Sequence, residues 1–230
     1  LDYDCAAGRN DPDCVIGDER HNRPDVIRDL PNNEWVNADL ICIKNKKFLV
    51  YINKNVGPLL LFDLIKSFGK EIYTERLKSI EFFEKRIPSE FFLYGRGWNK
   101  PKKYNLLERI FGYKKYRIYK GEVDDKTKLL SNFKFSLCFE NLTDVKGYIT
   151  EKIFDCLKAR CVPIYYGAID IEKFIPKNCF IDFRDFKDYG ELLKFLKSLD
   201  ERDYNTYIEN IEKLLLNKKF REMWFEEGFS

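Results

Sequence analysis

The sequence lacks the features that define several common classes of protein. None of its apolar runs approaches the roughly 18 residues that a membrane-spanning helix needs. It has one histidine, His21, and no cysteine pair with CxxC spacing, so the usual zinc-site patterns are absent. A formal net charge of +3 is too small by itself to indicate nucleic-acid binding. With 230 residues, 44% of them hydrophobic and 16% aromatic, the chain is instead expected to be globular, with one or two domains.

The seven cysteines indicate no disulfide framework, because their number is odd and their spacing is irregular. We expect a reducing rather than an oxidising compartment. Cys138, Cys156 and Cys161 lie in apolar runs, where a free thiol packs as a small hydrophobic group. Because the chain begins at Leu1 rather than Met, we expect a fragment, a processed product or a trimmed form.

Composition changes near residue 40. Residues 1–40 contain no lysine, four arginines and ten acids, for a net charge of −6, whereas residues 41–230 carry all 28 lysines and a net charge of +9. The first stretch is also rich in Pro, Asn and Asp, which favour turns. We expect residues 1–46 to form an irregular arm or the remnant of an acceptor domain. Its D-Y-D and D-P-D runs (2–4 and 11–13) resemble metal-binding pairs, but no buried strand precedes them, which favours a solvated acidic tail.

Beyond residue 46, strand patterns alternate with helix patterns, which is typical of βαβ units with a parallel sheet. The predicted strands cover residues 47–52, 91–94, 116–119, 133–139, 162–166 and 179–183. The predicted helices cover residues 74–86, 126–130, 150–159, 189–199 and 203–216. Pro163 has no N–H, so we expect it near a sheet edge or among the first residues of its strand. Ligands of such sheets bind at the carboxyl ends of the strands.

The richest strand-to-helix junction is residues 139–152, where a buried strand gives way to a polar loop and then a helix. A helix N-terminus presents free N–H groups and partial positive charge, which suits phosphate. Lys152 stands in the first turn, against the helix dipole, and this placement makes sense if an anion binds there. The alternative is an ordinary capped helix with Glu151 and Lys152 in water, and these residues alone leave both interpretations open.

The stretch that contains this junction, residues 133–168, closely resembles the signature of the alpha-1,3/1,4-fucosyltransferases, glycosyltransferase family 10. Its motifs follow the family order: FEN (139–141), GYITEK (147–152) and VPIYYG (162–167). The similarity extends back to about residue 47 through EIYTER (71–76) and LYGRGW (93–98), and forward to about residue 216.

The resemblance implies an α/β fold with a Rossmann-like parallel sheet, the donor half of a GT-B fold, preceded by the irregular N-terminal arm. Residues 47–230 would form the domain that binds GDP-fucose. The implied activity is inverting transfer of fucose from GDP-fucose to a GlcNAc-containing glycan such as N-acetyllactosamine. Two alternatives stay open: a non-catalytic module that binds a nucleotide sugar, and a GT-B transferase with another donor.

The resemblance also assigns roles to individual residues. Lys152 and Arg96 would contact the diphosphate, and Glu151 would contact hydroxyls of the sugar or ribose; these three are the expected catalytic groups. The implied donor-binding set is Glu140, Asn141, Tyr148, Thr150, Glu151, Lys152 and Arg96. Glu75 and Arg76 of the TER motif are further candidates, with an exposed helical ion pair as the alternative.

No metal ligand is assigned and no cofactor is expected to be required, with stimulation by Mn²⁺ or Mg²⁺ left open. Lys152, Arg96 and the helix N-terminus would then supply the positive field that meets the departing GDP. The general base stays unassigned, because the family draws it from an acceptor domain and the roughly 46 residues before the match are too few to form one; Glu34 and Asp39 qualify only as upstream acids. An inactive fragment that lacks its base, but still binds the nucleotide sugar, is therefore one of the open alternatives.

Residues 96–120 hold nine basic residues, one acid and four interleaved tyrosines. Such mixing is compatible with nucleic-acid binding, but we favour a solvated loop near an anionic donor or a membrane surface. We therefore expect no nucleic-acid partner and leave peripheral membrane contact open. The expected location is the cytoplasm or the inner membrane face for a bacterial protein, and the Golgi membrane for a eukaryotic one.

Overall fold

A computed structural model of the protein describes residues 45–55, 70–100 and 113–226. These residues form seven strands: β1 (Lys47–Ile52), β2 (Lys70–Glu71), β3 (Phe91–Tyr94), β4 (Phe133–Phe139), β5 (Leu142–Thr143), β6 (Val162–Tyr166) and β7 (Ile181–Asp182). Five of them make one sheet in the order β3-β1-β4-β6-β7, and every neighbouring pair in it is parallel. The predicted α/β architecture with a parallel sheet is thereby confirmed. The two short strands β2 and β5 pair antiparallel in a separate sheet.

The helices that connect and follow the strands are α1 (Tyr73–Arg86), α2 (Lys126–Leu130), α3 (Glu151–Lys158), α4 (Tyr189–Ser198), α5 (Glu201–Leu216) and α6 (Lys218–Arg221), with a π-helical turn at Glu222–Glu226. Several begin where a polar side chain satisfies a free N–H. Asp188 caps α4, and Asp200 and Asp203 form a reciprocal capping box at the start of α5. Three single 3₁₀ turns lie between β6 and α4.

Two layers of side chains cover the parallel sheet. On one face, Tyr51 and Phe139 pack edge to face at 6.1 Å, and Phe183 stacks on Tyr189 of α4 at 4.8 Å. Because successive strand residues point to opposite faces, Cys138 lies on the other face, against α3. The predicted role of Cys138, Cys156 and Cys161 as buried free thiols is confirmed, since at most 3% of each residue is exposed.

Two strand predictions are wrong in part. Residues 116–119 form a turn with one bridge, Leu93 to Tyr119, rather than a strand. The strand predicted at 179–183 shrinks to β7, because 3₁₀ turns occupy the residues on both sides of it. Pro163 stands second in β6 opposite Ser136, and β7 pairs only from Ile164 onward, as expected for a residue without an N–H.

Residues 1–44 lie outside the described part, so the predicted arm, the acidic D-x-D pairs and the upstream acids Glu34 and Asp39 stay predictions. The same holds for the division into an arm and a donor domain, although the sheet begins at Lys47. Within the described ranges, no helix combines the length and the apolar character that crossing a bilayer requires.

The loop after β3 is held against the loop after β1. It turns at Gly95, whose φ is +122°, and a Cβ there would lie 2.1 Å from the carbonyl oxygen of Asn53. That same carbonyl accepts a hydrogen bond of 2.7 Å from Trp98 Nε1. Asn55 Nδ2 also donates to the carbonyl of Gly97 at 3.0 Å. The two loops therefore form one rigid part of the carboxyl edge, and Arg96 stands on it.

We expect Gly95→Ala to destabilise the fold by more than Gly121→Ala. Gly121 has a φ of +116° but open space where its Cβ would be, so this control bears only the backbone strain of about 1–3 kcal/mol. Gly95→Ala adds the clash with Asn53, which forces the two loops apart. Urea unfolding measures both free energies, and equal losses would contradict the proposed loop contact.

Candidate functional site

The candidate site lies at the carboxyl edge of the parallel sheet, where β4 ends and the chain runs on to α3. Glu140 and Asn141 follow β4 directly, and Thr150 precedes the first residue of α3. Because parallel strands end at the same edge, the loops after β1, β3 and β6 border this point. The structure thus brings together residues that are 10 or more positions apart in the FEN and TEK motifs.

Glu140 is the centre of this cluster, and none of its surface is exposed. Its Oε1 accepts a hydrogen bond from the Thr150 main-chain N–H at 2.8 Å. Its Oε2 accepts from Thr150 Oγ1 at 2.7 Å and from Lys152 Nζ at 2.9 Å. A buried carboxylate is tolerated only when it is paired and hydrogen-bonded, and here both oxygens are satisfied.

The glycine of the VPIYYG motif makes room for this carboxylate. A Cβ on Gly167 would lie 2.5 Å from Glu140 Cγ and 2.6 Å from the Tyr165 hydroxyl. Two hydrogen bonds also hold the main chain at Tyr166 and Gly167. Glu140 N–H donates to the Tyr166 carbonyl at 2.8 Å, and Thr143 Oγ1 donates to the Gly167 carbonyl at 3.0 Å. The end of β6 therefore forms one wall of the cluster.

Lys152 stands in the first turn of α3, with 23% of its side chain exposed. Besides its salt bridge to Glu140, its Nζ donates to Thr150 Oγ1 at 2.8 Å. The Thr150 hydroxyl is used in these contacts and makes no capping bond to the helix. The N-terminus of α3 consequently has no side-chain cap from Thr150, and a partly exposed ammonium group stands beside it. Both features favour an anion at this position.

Asn141 links this cluster to α1. Its carbonyl accepts from Ile72 N–H at 3.3 Å, and its Oδ1 accepts from Arg76 Nη2 at 2.7 Å. Its Nδ2 donates to the Tyr148 hydroxyl at 3.1 Å. The amide is thus held with its oxygen toward α1 and its NH₂ group toward the loop that carries Tyr148.

Arg76 was predicted as a donor-site candidate or as half of an exposed ion pair with Glu75, and the ion-pair alternative is wrong. Only 4% of Arg76 is exposed, and its guanidinium binds the end of β4. Glu75 pairs instead with Lys78 at 2.6 Å and accepts a hydrogen bond from the Tyr189 hydroxyl at 3.0 Å. Sequence reasoning missed the burial of Arg76 because it depends on contacts with residues more than 60 positions away in the chain.

Glu151 and Glu140 were expected in one site, but the Glu151 carboxylate contacts Lys126 of α2. Its exposed carboxylate lies 3.5 Å from Lys126 Nζ. Partial burial raises the pKa of Glu151, but the Lys152 charge, its own backbone N–H and Lys126 outweigh that effect and hold the pKa below its usual value. The carboxylate is therefore ionised at neutral pH and free to accept hydrogen bonds, and its role toward donor hydroxyls stays a prediction.

Arg96 lies apart from the cluster. It follows the edge strand β3, whereas Glu140 follows β4, so one strand separates them and the strand spacing gives about 10 Å between the two strand ends. Its side chain is 72% exposed, and Nε lies 3.2 Å from Glu122 Oε2. Arg96 and Lys152 have separate partners in the structure, Glu122 and Glu140. Both side chains can still face one extended ligand.

Two further predictions touch residues of this edge. In the described ranges, no group of three or more His, Cys, Asp or Glu side chains is placed to hold a metal ion. Residues 101–112, which contain three of the nine basic residues of the basic-aromatic segment, lie outside the described part.

Comparison with protein families gives a match over most of this region. A model of the C-terminal part of glycosyltransferase family 10 (fucosyltransferase) matches residues 75–226, more than half of the chain. It includes α1 from Glu75 onward, the whole Glu140 cluster and the last helices.

Individual relatives match shorter stretches. The chain is 42% identical over 76 residues to an alpha-(1,3)-fucosyltransferase of Helicobacter pylori, which is 32% of this chain and 16% of that protein. It is 45% identical over 53 residues to an alpha-(1,4)-fucosyltransferase of Arabidopsis thaliana, 23% of this chain and 13% of that protein. A GDP-fucose protein O-fucosyltransferase 3 of Danio rerio is 46% identical over 54 residues, 24% and 12% of the two chains. The match therefore spans less than a fifth of each relative.

Among solved structures, an alpha1,3-fucosyltransferase with GDP-fucose overlaps 71% of this chain and 38% of its own, with 24% sequence identity and a TM-score of 0.48.

We expect the Glu140–Lys152 pair to stabilise the fold, and a double-mutant cycle measures by how much. Lys152→Met leaves a buried carboxylate without its counter-charge, and Glu140→Gln leaves the ammonium without its partner. The double variant removes both charges, so the coupling should be about 1–3 kcal/mol in urea unfolding.

The matched control is Glu81 with Lys114, whose ion pair is 53% and 52% exposed. Exposed pairs contribute between about 0 and 1 kcal/mol, so its coupling should be the smaller one. Equal couplings in the two cycles would show that the buried pair has no special role.

Proposed function

Because the chain belongs to glycosyltransferase family 10, the fucosyltransferases, we propose that it binds GDP-fucose at the carboxyl edge of its sheet. In this proposal the region is the donor half of a GT-B enzyme that transfers fucose with inversion. The observation that carries it is the Glu140–Thr150–Lys152 cluster, which places a lysine beside a helix N-terminus that the Thr150 side chain does not cap.

The chemistry of fucosyl transfer suits this arrangement. As the bond to the anomeric carbon breaks, the sugar approaches an oxocarbenium ion and negative charge accumulates on the departing GDP. Lys152 and the N–H groups of α3 are fixed before the reaction, so they stabilise that charge without reorganising. Removing one such group costs about 3 kcal/mol in the transition state, or roughly a hundredfold in rate.

The remaining predicted donor residues supply hydrogen bonds around this cation. The Asn141 NH₂ group and the Tyr148 hydroxyl face each other at 3.1 Å, and a ligand oxygen can take the place of either partner. Glu151, ionised and exposed, accepts hydrogen bonds from hydroxyls of fucose or ribose. These contacts orient the donor rather than stabilise charge.

Arg96 is proposed as the second diphosphate cation. Its contact with Glu122 is exposed, and such a pair contributes about 0.5 kcal/mol, so a phosphate can replace it at little cost. The guanidinium would then bind two oxygens at once, which a lysine cannot do.

The acceptor side is proposed on the family resemblance. We propose a GlcNAc-containing glycan such as N-acetyllactosamine as acceptor, with the general base contributed from outside the described residues. The relatives bear names that differ in linkage and acceptor, among them a protein O-fucosyltransferase, but all name fucose transfer. The proposal requires no metal cofactor, and it places the enzyme in the cytoplasm or at the inner membrane face of a bacterium, or in the Golgi of a eukaryote.

We expect the chain to bind GDP-fucose, and GDP-mannose more weakly, in isothermal calorimetry, with no response to UDP-galactose. Lys152→Met should weaken GDP-fucose binding about ten- to a hundredfold, because it removes the cation and leaves Glu140 to repel the phosphates. Lys218→Met, an exposed lysine at the start of α6, is the control and should bind as the parent chain does. Binding of UDP-galactose in preference would assign another donor.

Catalysis is tested separately by release of fucose from GDP-fucose, with and without N-acetyllactosamine. The family draws its general base from an acceptor domain, so we expect transfer from a longer chain that includes such a domain, and this activity should survive chelation by EDTA because the positive field comes from side chains. Tight binding of GDP-fucose without release or transfer, with and without added Mn²⁺, would instead identify a non-catalytic nucleotide-sugar-binding module.

A further inference from the structure

The amino edge of the parallel sheet, where the strands begin, carries a partly buried lysine that is held by neutral groups. Lys46 lies directly before β1, and its Nζ donates a hydrogen bond of 2.8 Å to the main-chain carbonyl of Arg160. The Tyr204 hydroxyl donates to the same carbonyl at 3.4 Å. Among the described residues, no Asp or Glu lies within salt-bridge distance of the Lys46 ammonium group. This lysine therefore lacks the counter-charge that Lys152 has at the opposite edge.

The titratable groups around Lys46 do not compensate its charge. The Arg160 guanidinium is a like charge, and the carboxylate of Glu212 is already engaged with it at 3.3 Å. Burial raises the pKa of the Cys161 thiol and of the Tyr204 phenol, so both are neutral at pH 7. Burial lowers the pKa of Lys46 to about 8; the Arg160 charge acts in the same direction and Cys161 against it. A substantial part of this amine is therefore neutral, and so nucleophilic, near neutral pH.

A cavity of about 230 Å³ lies on the same side of the sheet, with the Phe48 and Tyr204 rings among its walls. Its charged lining residues are two lysines and two acids: Lys134, Lys197, Asp200 and Glu201. Because Tyr204 and Lys46 bind the same carbonyl, one wall of the cavity is next to the amine. A small molecule therefore has room beside Lys46.

We propose that Lys46 is a site of covalent modification, an amine that its surroundings keep reactive toward small acyl donors of the acyl phosphate class. The neutral amine attacks the acyl carbon and an amide C–N bond forms. The C–O bond to the phosphate breaks, and the phosphate leaves with the electron pair and takes up the proton that the amine loses. The remaining amide N–H can still donate to the Arg160 carbonyl, and the positive charge beside the Arg160 guanidinium is removed. The modified chain should therefore keep its fold.

Acetylation of the parent chain by acetyl phosphate tests this proposal, with the occupancy of each lysine measured by peptide mass spectrometry. At pH 7.5 an amine with a pKa of about 8 is roughly one-quarter neutral, whereas an ordinary lysine is neutral in about one molecule per thousand. Lys218, whose side chain is 83% exposed, is the reference in the same chain. We expect Lys46 to react about tenfold faster than Lys218 or more, since the larger neutral fraction outweighs the weaker basicity.

The dependence of the rate on pH separates a reactive amine from a merely accessible one. The rate at Lys46 should rise with pH and level off above about pH 8, because the amine is then deprotonated, whereas the rate at Lys218 should still rise at pH 9. Lys46→Arg keeps the charge and should abolish the signal at this position. Equal rates at Lys46 and Lys218, or a rate at Lys46 that still rises at pH 9, would overturn the proposal.

Arg160→Met tests the part assigned to the neighbouring charge. Arg160 has a φ of +51°, and methionine bears the same backbone strain, so the variant changes the charge rather than the turn. It removes the like charge and frees the Glu212 carboxylate, and both changes raise the pKa of Lys46. The midpoint of the pH profile should move up, and acetylation at pH 7.5 should slow by about threefold or more. An unchanged profile would overturn the role of the Arg160 charge. None of these outcomes depends on the proposed function, because the donor site lies at the opposite edge of the sheet.

Discussion

The carboxylate of Glu140 is the interaction on which the carboxyl edge of this fold depends. A fully buried carboxylate needs a counter-charge and hydrogen bonds, and these come from Thr150 and Lys152 on the next helix. It also needs space, which Gly167 provides at the end of the neighbouring strand. One side chain therefore determines the position of three elements, β4, α3 and β6, and the start of α3 cannot shift without leaving a charge unpaired.

A second buried charge, Arg76, holds the other side of the same strand end. The two charges act on different groups, since Glu140 binds side chains and N–H groups of α3, while Arg76 binds oxygens at the end of β4. Together they hold the side chains of Asn141, Thr150 and Lys152 in place. Arg96 and Glu151 differ from these two buried charges. Their exposed side chains make weak surface pairs and can move toward a ligand at little cost. The site thus combines a rigid centre with adaptable ends.

The sequence predicted the sheet well because long apolar runs leave few alternatives. The bounds of β1, β3, β4 and β6 follow from such runs. The mistaken strand at residues 116–119 arose because Y-R-I-Y is rich in aromatic and β-branched residues, which favour strands, although it forms a turn. The motif also predicted one site for Asn141, Tyr148 and Lys152, and the structure joins Asn141 to Tyr148 and Lys152 to Glu140. It could not predict the burial of Arg76, because E-R-L-K at the start of a helix is also the pattern of a solvated face. Contacts over more than 60 residues leave no local signal, and only the folded chain reveals that Arg76 and Asn141 meet.

The pairing of Lys152 with Glu140 has a consequence for how an anion is attracted. A salt-bridged pair carries no net charge, so Lys152 adds little to the long-range field at this edge. Lys152 acts at short range, where a phosphate oxygen can share its ammonium protons with the carboxylate already in place. The carboxylate weakens the attraction to the ground state, but it holds the ammonium still, so no side chain has to be ordered when charge builds up on the leaving diphosphate. The salt bridge therefore weakens binding of the donor in its ground state, but it fixes the ammonium group before the reaction begins. Such preorganisation lowers the reaction barrier.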